Sequence, residues 1–228
     1  MALDELIWQI YSDTNFYNYV TLLPNGNLRQ ANLKILFERA KEFEIMPFTY
    51  LEAKEYGRVN NVKTNDFNEF LKLGGMPQRF EESNEHGVLK YLYDLFISIV
   101  QKDVFDIHKR IDQNRFMDIA KYIVANTNKE FSALSIAKYL KNELKIKNVR
   151  SLAKNINEYA DKIIECYFVR ECYPYDFSTK RTIKGIRKFY CVDNGLRSCL
   201  GNPVEPDLTF GLENLIYNEL KNRGYQVY

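Results

Sequence analysis

Residues 113–193 limit what this chain can fold into more than any other stretch, because they join three helical repeats to two β-rich runs. Phe116, Ile119, Ile123 and Val124 recur at spacings of three, four and one, which places them on one face of a helix. The polar residues 126–129 end that helix, and Ser132 is placed to cap a second, whose Ile136, Ala137 and Leu140 face inward. A basic turn over residues 141–147 leads to a third helix, with Val149, Leu152, Ile156, Ala160 and Ile163 as its buried stripe. Each helix is apolar on one side only, so the three must bury those sides against one another and against the segments after them. Those segments are aromatic and β-branched, over residues 166–173 and again over 188–193, and read as two strands of a hairpin. A helix-turn-helix followed by a hairpin is the pattern of a winged helix.

The side of the third helix opposite its stripe carries Arg150, Lys154 and Asn157, with Asn148 and Ser151 near its start. These side chains donate to phosphates and base edges, and a recognition helix offers its outward N-terminal residues to the major groove. Between the strands stand Lys180, Arg181, Lys184 and Arg187, a cationic wing suited to a phosphate backbone. The expected nucleic-acid contacts are therefore Arg150, Lys154, Asn157, Lys180, Arg181, Lys184 and Arg187. The same pattern also serves for docking on a protein, so duplex DNA and a protein partner both stand as readings.

Elsewhere the text is plainer. Leu3, Leu6, Ile7 and Ile10 predict a short helix, an Asn25-Gly26 turn comes next, and a helix is expected over residues 28–44. Pro47 breaks that helix and Thr49 is placed to cap a new one, so a second unit begins near residue 45. Residues 66–73 predict a helix ended by Gly74-Gly75, and residues 89–107 predict one of about five turns by their apolar repeat. Asp103 and Asp106, three apart, would share a face of that helix; a solvated charged pair is the expectation, with a metal pair as the sharper alternative. A last helix is expected over residues 211–220, followed by the start of a strand within 223–228, so that the chain reads as cut short inside its final domain.

Composition excludes more than it assigns. With 46% hydrophobic and 27% charged residues the chain can bury a core, and a net charge of +2 neither favours nor disfavours nucleic acid. No window is apolar enough for a membrane span and the start lacks a leader's pattern, so a cytoplasmic protein without membrane contact is expected. Cys166, Cys172, Cys191 and Cys199 have no metal-ligand spacing and are expected as reduced strand thiols; His86 and His108 are expected at the surface. No metal site and no complete catalytic site is expected.

Two resemblances add to this reading. Residues 3–11, with Arg29-Gln30-Ala31-Asn32-Leu33 and Phe37-Glu38-Arg39-Ala40, resemble an internal helical insert of AddA-type helicase-nuclease subunits, over residues 2–44 only. From residue 45 to 228 the landmarks Pro47-Phe48-Thr49-Tyr50-Leu51-Glu52, Gly74-Gly75-Met76-Pro77, Lys102-Asp103, Phe131-Ser132, the run from Lys188 to Leu196 and that from Glu213 to Leu220 resemble another family. It is the bacterial and archaeal AAA-type ATPases with a C-terminal domain of unknown function, number 4143 of its series. The resemblance implies an ATPase core, a winged helix and a restriction-endonuclease-like domain, with ATP and Mg²⁺ as cofactors of the full-length family. This chain has no GxxxxGK[ST] loop to cradle a triphosphate, so no cofactor is expected in it. Glu213 matches the position of the first acid of the nuclease-like site, and one carboxylate cannot assemble such a site.

The expected fold is therefore mainly α, with a winged helix-turn-helix and an incomplete α/β, restriction-endonuclease-like C-terminal piece. The expected domains are 1–44, a segment resembling a helicase insert; 45–112, the end of an ATPase core with connecting helices; 113–200, the winged helix; and 201–228, the start of a truncated nuclease-like domain. Two resemblances meeting at residues 44 and 45 predict a fusion or truncation of two genes. The expected function is a non-catalytic ATPase fragment that binds nucleic acid or a partner. The alternatives are a fragment of a helicase-nuclease or ATPase active only with other chains, and a protein-interaction module.

Overall fold

A computed structural model describes residues 46–63, 66–141, 148–183, 187–201 and 208–228. The expectations for residues 1–45, for most of the basic turn at 141–147 and for Lys184 lie outside these. Helix α1 spans Tyr50–Asn60 and starts as the sequence predicts: the Thr49 hydroxyl accepts from the Glu52 N–H, and the Glu52 carboxylate accepts from the Thr49 N–H. Helix α2, Phe67–Leu73, is capped by Asp66 and ends at Gly74, whose φ of +74° is the left-handed region that glycine enters without strain. A 3₁₀ turn over Pro77–Glu81 leads to α3, Glu85–Val100, capped by Asn84.

The predicted five-turn helix over residues 89–107 is not uniform. After Val100 it widens into a π-helical turn over Gln101–Phe105. The extra residue in that turn rotates the positions after it, so Asp103 is buried while Asp106 is exposed and accepts from Gln101 and Lys109. The two carboxylates therefore do not share a face as α-helical spacing implied, and no cluster of metal-ligating side chains forms among the described residues.

Helix α4, Gln113–Ala125, begins the trihelical part, followed by a short strand β1 at Glu130–Phe131, α5 at Ala133–Leu140 and α6 at Val149–Glu165. Ser132 and Asn148 cap α5 and α6 by accepting from the Ser135 and Ser151 N–H groups. Strand β2, Val169–Cys172, pairs antiparallel with β5, Arg187–Cys191, and β5 pairs on its other side with β1, so the sheet order is β1-β5-β2. Between β2 and β5 a smaller ribbon forms from β3, Tyr175–Asp176, and β4, Arg181–Thr182. Helix α7, Asn194–Leu200, and helix α8, Leu208–Asn222, complete the described elements. The expected C-terminal strand is not found: residues 225–228 join no sheet ladder among the described residues. An extended segment becomes a strand only when a neighbour takes its backbone hydrogen bonds.

One apolar core runs from Leu73 through α3, α4, α5, α6 and the sheet to Leu200. Phe96 of α3 packs its ring 4.6 Å from Phe168, just before β2, and Phe116 of α4 meets Tyr159 of α6 edge-on at 5.2 Å. The core therefore passes from the connecting helices into the trihelical part without a break at residue 112. Among the described residues no helix is long and apolar enough to cross a membrane.

Candidate nucleic-acid interface

Helix α6 buries Leu152, Ile156, Tyr159, Ala160 and Ile163, which turns Arg150, Ser151, Lys154 and Asn157 outward. Its outer face is graded: Arg150 and Lys154 lie in the first half, Glu158, Asp161 and Glu165 in the second. The positive half coincides with the helix N-terminus, so side-chain charge and backbone dipole favour an anion at the same end. Lys154 lies 3.7 Å from Glu158 with both side chains largely in solvent, an ion pair weak enough to yield to a phosphate. Asn157 donates to the Ala153 carbonyl at 3.2 Å and accepts from Arg187 at 3.4 Å.

Arg187 is not placed like the other predicted cations. Its side chain is only 17% exposed, hydrogen-bonded to Glu171, 3.7 Å from Asp161, and its guanidinium lies over the rings of Phe131 and Phe189 at 4.8 and 5.0 Å. Two carboxylates and two aromatic faces hold it at the joint between sheet and α6, a structural position rather than a free donor. Lys180 and Arg181 stand instead at the exposed tip of the β3–β4 ribbon. The structure thus brings Arg187 and Asn157 together, keeps Arg150 and Lys154 on the outer face of α6, and sets Lys180 and Arg181 on a separate projection.

The ribbon tip is built by Asp176. Its carboxylate accepts from the backbone N–H and hydroxyl groups of both Ser178 and Thr179, and these four donors hold its pKa down to about 2. Sequence reading missed both this turn and the aromatic it displays, Phe177, whose ring is 82% exposed. The available signal was an apolar residue inside a polar hairpin tip.

Glu213, the position matched to a nuclease-like acid, accepts from the Tyr190 hydroxyl at 2.9 Å and lies 3.6 Å from the Lys188 ammonium. Burial and the neighbouring carboxylate push the Tyr190 phenol up, so it stays protonated as the donor. The Tyr190 ring stacks on Tyr217 at 3.9 Å, and the group fastens α8 to β5.

A second junction was also missed. Asp193, 3% exposed, caps α7 and accepts from the N–H groups of Gly195 at 2.7 Å, Leu196 at 3.2 Å and Gly75 at 2.6 Å. Burial raises its pKa against these three donors and the nearby Arg79. A Cβ on Gly74 would sit 2.0 Å from the Asp193 carboxylate, so only glycine lets the two segments close. Arg79 is itself buried against the Phe80 ring at 4.1 Å. The Lys162 ammonium stands 2.8 Å from His108 Nε2, and partial burial and that cation hold the imidazole pKa down. All four cysteines are free thiols, and burial pushes Cys166, Cys191 and Cys199 up to about 12, where they are unreactive.

These observations define a mainly helical protein with small antiparallel sheets, a basic first half on the outer face of α6 and an exposed β3–β4 ribbon. Residues 64–207 match a family described as a domain of unknown function (DUF8612), and the chain belongs to that family. A 48-residue segment is 62% identical to the A-type subunit of the ATP-dependent helicase/nuclease of Clostridium beijerinckii, covering 21% of this chain and 4% of that protein. The same-named subunit of Clostridium perfringens is 58% identical over 48 residues, and that of Clostridioides difficile 61% over 44, each with about 4% of its length covered. The chain therefore spans a small fraction of the curated relatives it matches. No solved structure matches it.

Proposed function

We propose that residues 113–193 form a winged helix that binds duplex nucleic acid, with α6 as recognition helix and the β3–β4 ribbon as wing, in a chain that works by binding rather than catalysis. The observation that carries this reading is the element order α4-β1-α5-α6-β2-β5 combined with the sheet order β1-β5-β2. That arrangement leaves one outward helix and one projecting hairpin on a scaffold packed behind them. Arg150, Lys154 and Asn157 would meet the groove and its flanking phosphates, and Lys180 and Arg181 an adjacent phosphate. No triphosphate-binding loop is present in the sequence, so ATP and Mg²⁺ stay with the AAA-type ATPases that residues 45–228 resemble.

Titration of a labelled duplex at low salt tests the reading. Binding should weaken steeply with salt, and the slope of log K against log salt should fall by about 1 for each of Arg150, Lys154, Lys180 and Arg181 replaced by alanine. Absence of binding at low salt would sink it.

A second reading draws on the 62% identity over 48 residues to a protein named as part of a helicase/nuclease: this chain would be a piece of such a machine, active only beside other chains. Nucleic acid is the shared substrate class of both readings. ATP binding by the isolated chain would favour the second and count against the first.

A further inference from the structure

We propose that Phe177 is a base-stacking residue, through which the wing holds an unpaired or terminal base while Lys180 and Arg181 bind the flanking phosphates. The inference rests on the nucleic-acid reading above and adds to it a preference for duplex ends and overhangs.

Phe177 is the most exposed large apolar side chain among the described residues, at 82%. It is not a loose side chain on a loose loop. Asp176 ties the backbone on its far side through Ser178 and Thr179, and β3 pairs with β4 in the register Tyr175↔Thr182 and Asp176↔Arg181. Its ring stands edge-on to Tyr175 at 5.0 Å and 79°, and Tyr175 rests 4.6 Å from the Tyr228 ring. The Phe177 ring is thus held by one aromatic neighbour and is otherwise open to solvent.

The surroundings argue for a base as the occupant. Lys180 and Arg181 are exposed at the same tip, and no carboxylate among the described residues forms a salt bridge with either. Asp176, directly across from Arg181 in the ribbon, spends its oxygens on four turn donors. An exposed aromatic ring on the same tip as two cations that form no salt bridge among the described residues is matched by a nucleotide, which presents a flat π surface next to a negative charge. Entry between stacked pairs of a continuous duplex costs unstacking, whereas a base at an end or overhang already offers its face.

The test uses the full chain and two labelled DNAs, a blunt duplex and the same duplex with a single-stranded overhang. Phe177→Ala should weaken overhang binding about tenfold and change blunt-duplex binding by less than about twofold. Phe177→Trp should keep the overhang affinity, and its added fluorescence, read against a wild type whose one tryptophan is Trp8, should quench on binding. At so exposed a position neither change should disturb folding. If wild type binds and Phe177→Ala binds both DNAs equally well, the stacking role is overturned while the winged-helix reading survives; equal loss on both DNAs overturns it likewise, since stacking on a free base requires a difference. If wild type binds neither DNA, the nucleic-acid reading fails and the stacking role falls with it.

Discussion

Arg187 is a largely buried cation, unlike the exposed Lys180 and Arg181. Its guanidinium is engaged by Glu171 and Asp161 and covered by Phe131 and Phe189, so its removal strands the Glu171 carboxylate, which is partly withdrawn from water, while the exposed Asp161 stays solvated. Arg187→Ala should lower stability by about 1–3 kcal/mol in urea unfolding while leaving the salt slope of DNA binding unchanged. A slope lower by about 1 in the variant would show that the residue contacts phosphate after all. Asp103 carries a different signature, because burial in the π-helical turn raises its pKa to about 6 from 3.8. The folded chain then holds this proton more tightly than the unfolded one, so the contribution is full below about 4 and is lost as pH rises toward and through 6. Unfolding measured from pH 4 to 7 should show a fall of about 2 kcal/mol attributable to this group, absent in Asp103→Asn.

The elements that were legible in the sequence are those with an internal period and a polar end. α4, α5 and α6 announce themselves by Phe116, Ile119 and Ile123, by Ser132 with Ile136, and by the stripe from Leu152 to Ile163; the Thr49 and Asp66 ends are equally local signals. β1 was not legible, since two residues have no period and exist as a strand only because β5 offers Lys188 and Arg187 as partners. α7 was hidden for a similar reason: Asp193 read as the end of a strand, and the carbonyls of Leu71 and Gly211 and the N–H of Gly75 that meet Asn194 and Asp193 come from far along the chain. At the candidate interface, charge was legible and accessibility was not, which is why Arg187 and Lys180 looked alike. The Gly74-Gly75 turn gives this scale its prediction. Gly75→Ala would put a Cβ 2.0 Å from the Phe48 carbonyl oxygen, so the turn must shift and loosen the Asp193 cap; a loss of at least about 2 kcal/mol is expected by denaturant titration.

At the scale of the whole molecule, the continuity of the core from Leu73 to Leu200 sets what can be separated from what. The winged helix proposed for residues 113–193 would fold alone if its sheet and helices closed on themselves. Here Val88, Leu92, Phe96 and Val100 of α3 are buried within the same cluster as Ile119, Ile156 and Val169, and Phe96 touches Phe168 at the entrance to the hairpin. Removing α3 would expose the apolar area that these side chains cover, and a fully buried phenylalanine alone contributes about 2–3 kcal/mol. Two consequences arise for the proposed binding surface, although α3 contributes no residue to it. Phe96→Ala should destabilise the chain by about 3–5 kcal/mol and weaken duplex binding in proportion to the unfolded fraction, with affinity restored at lower temperature. A fragment of residues 113–193 should lack a cooperative unfolding transition, whereas one beginning near residue 66 and ending after α8 should retain it. If the short fragment melts as sharply as the full chain, the helices before residue 113 are accessories to the unit of residues 113–193 rather than part of its core.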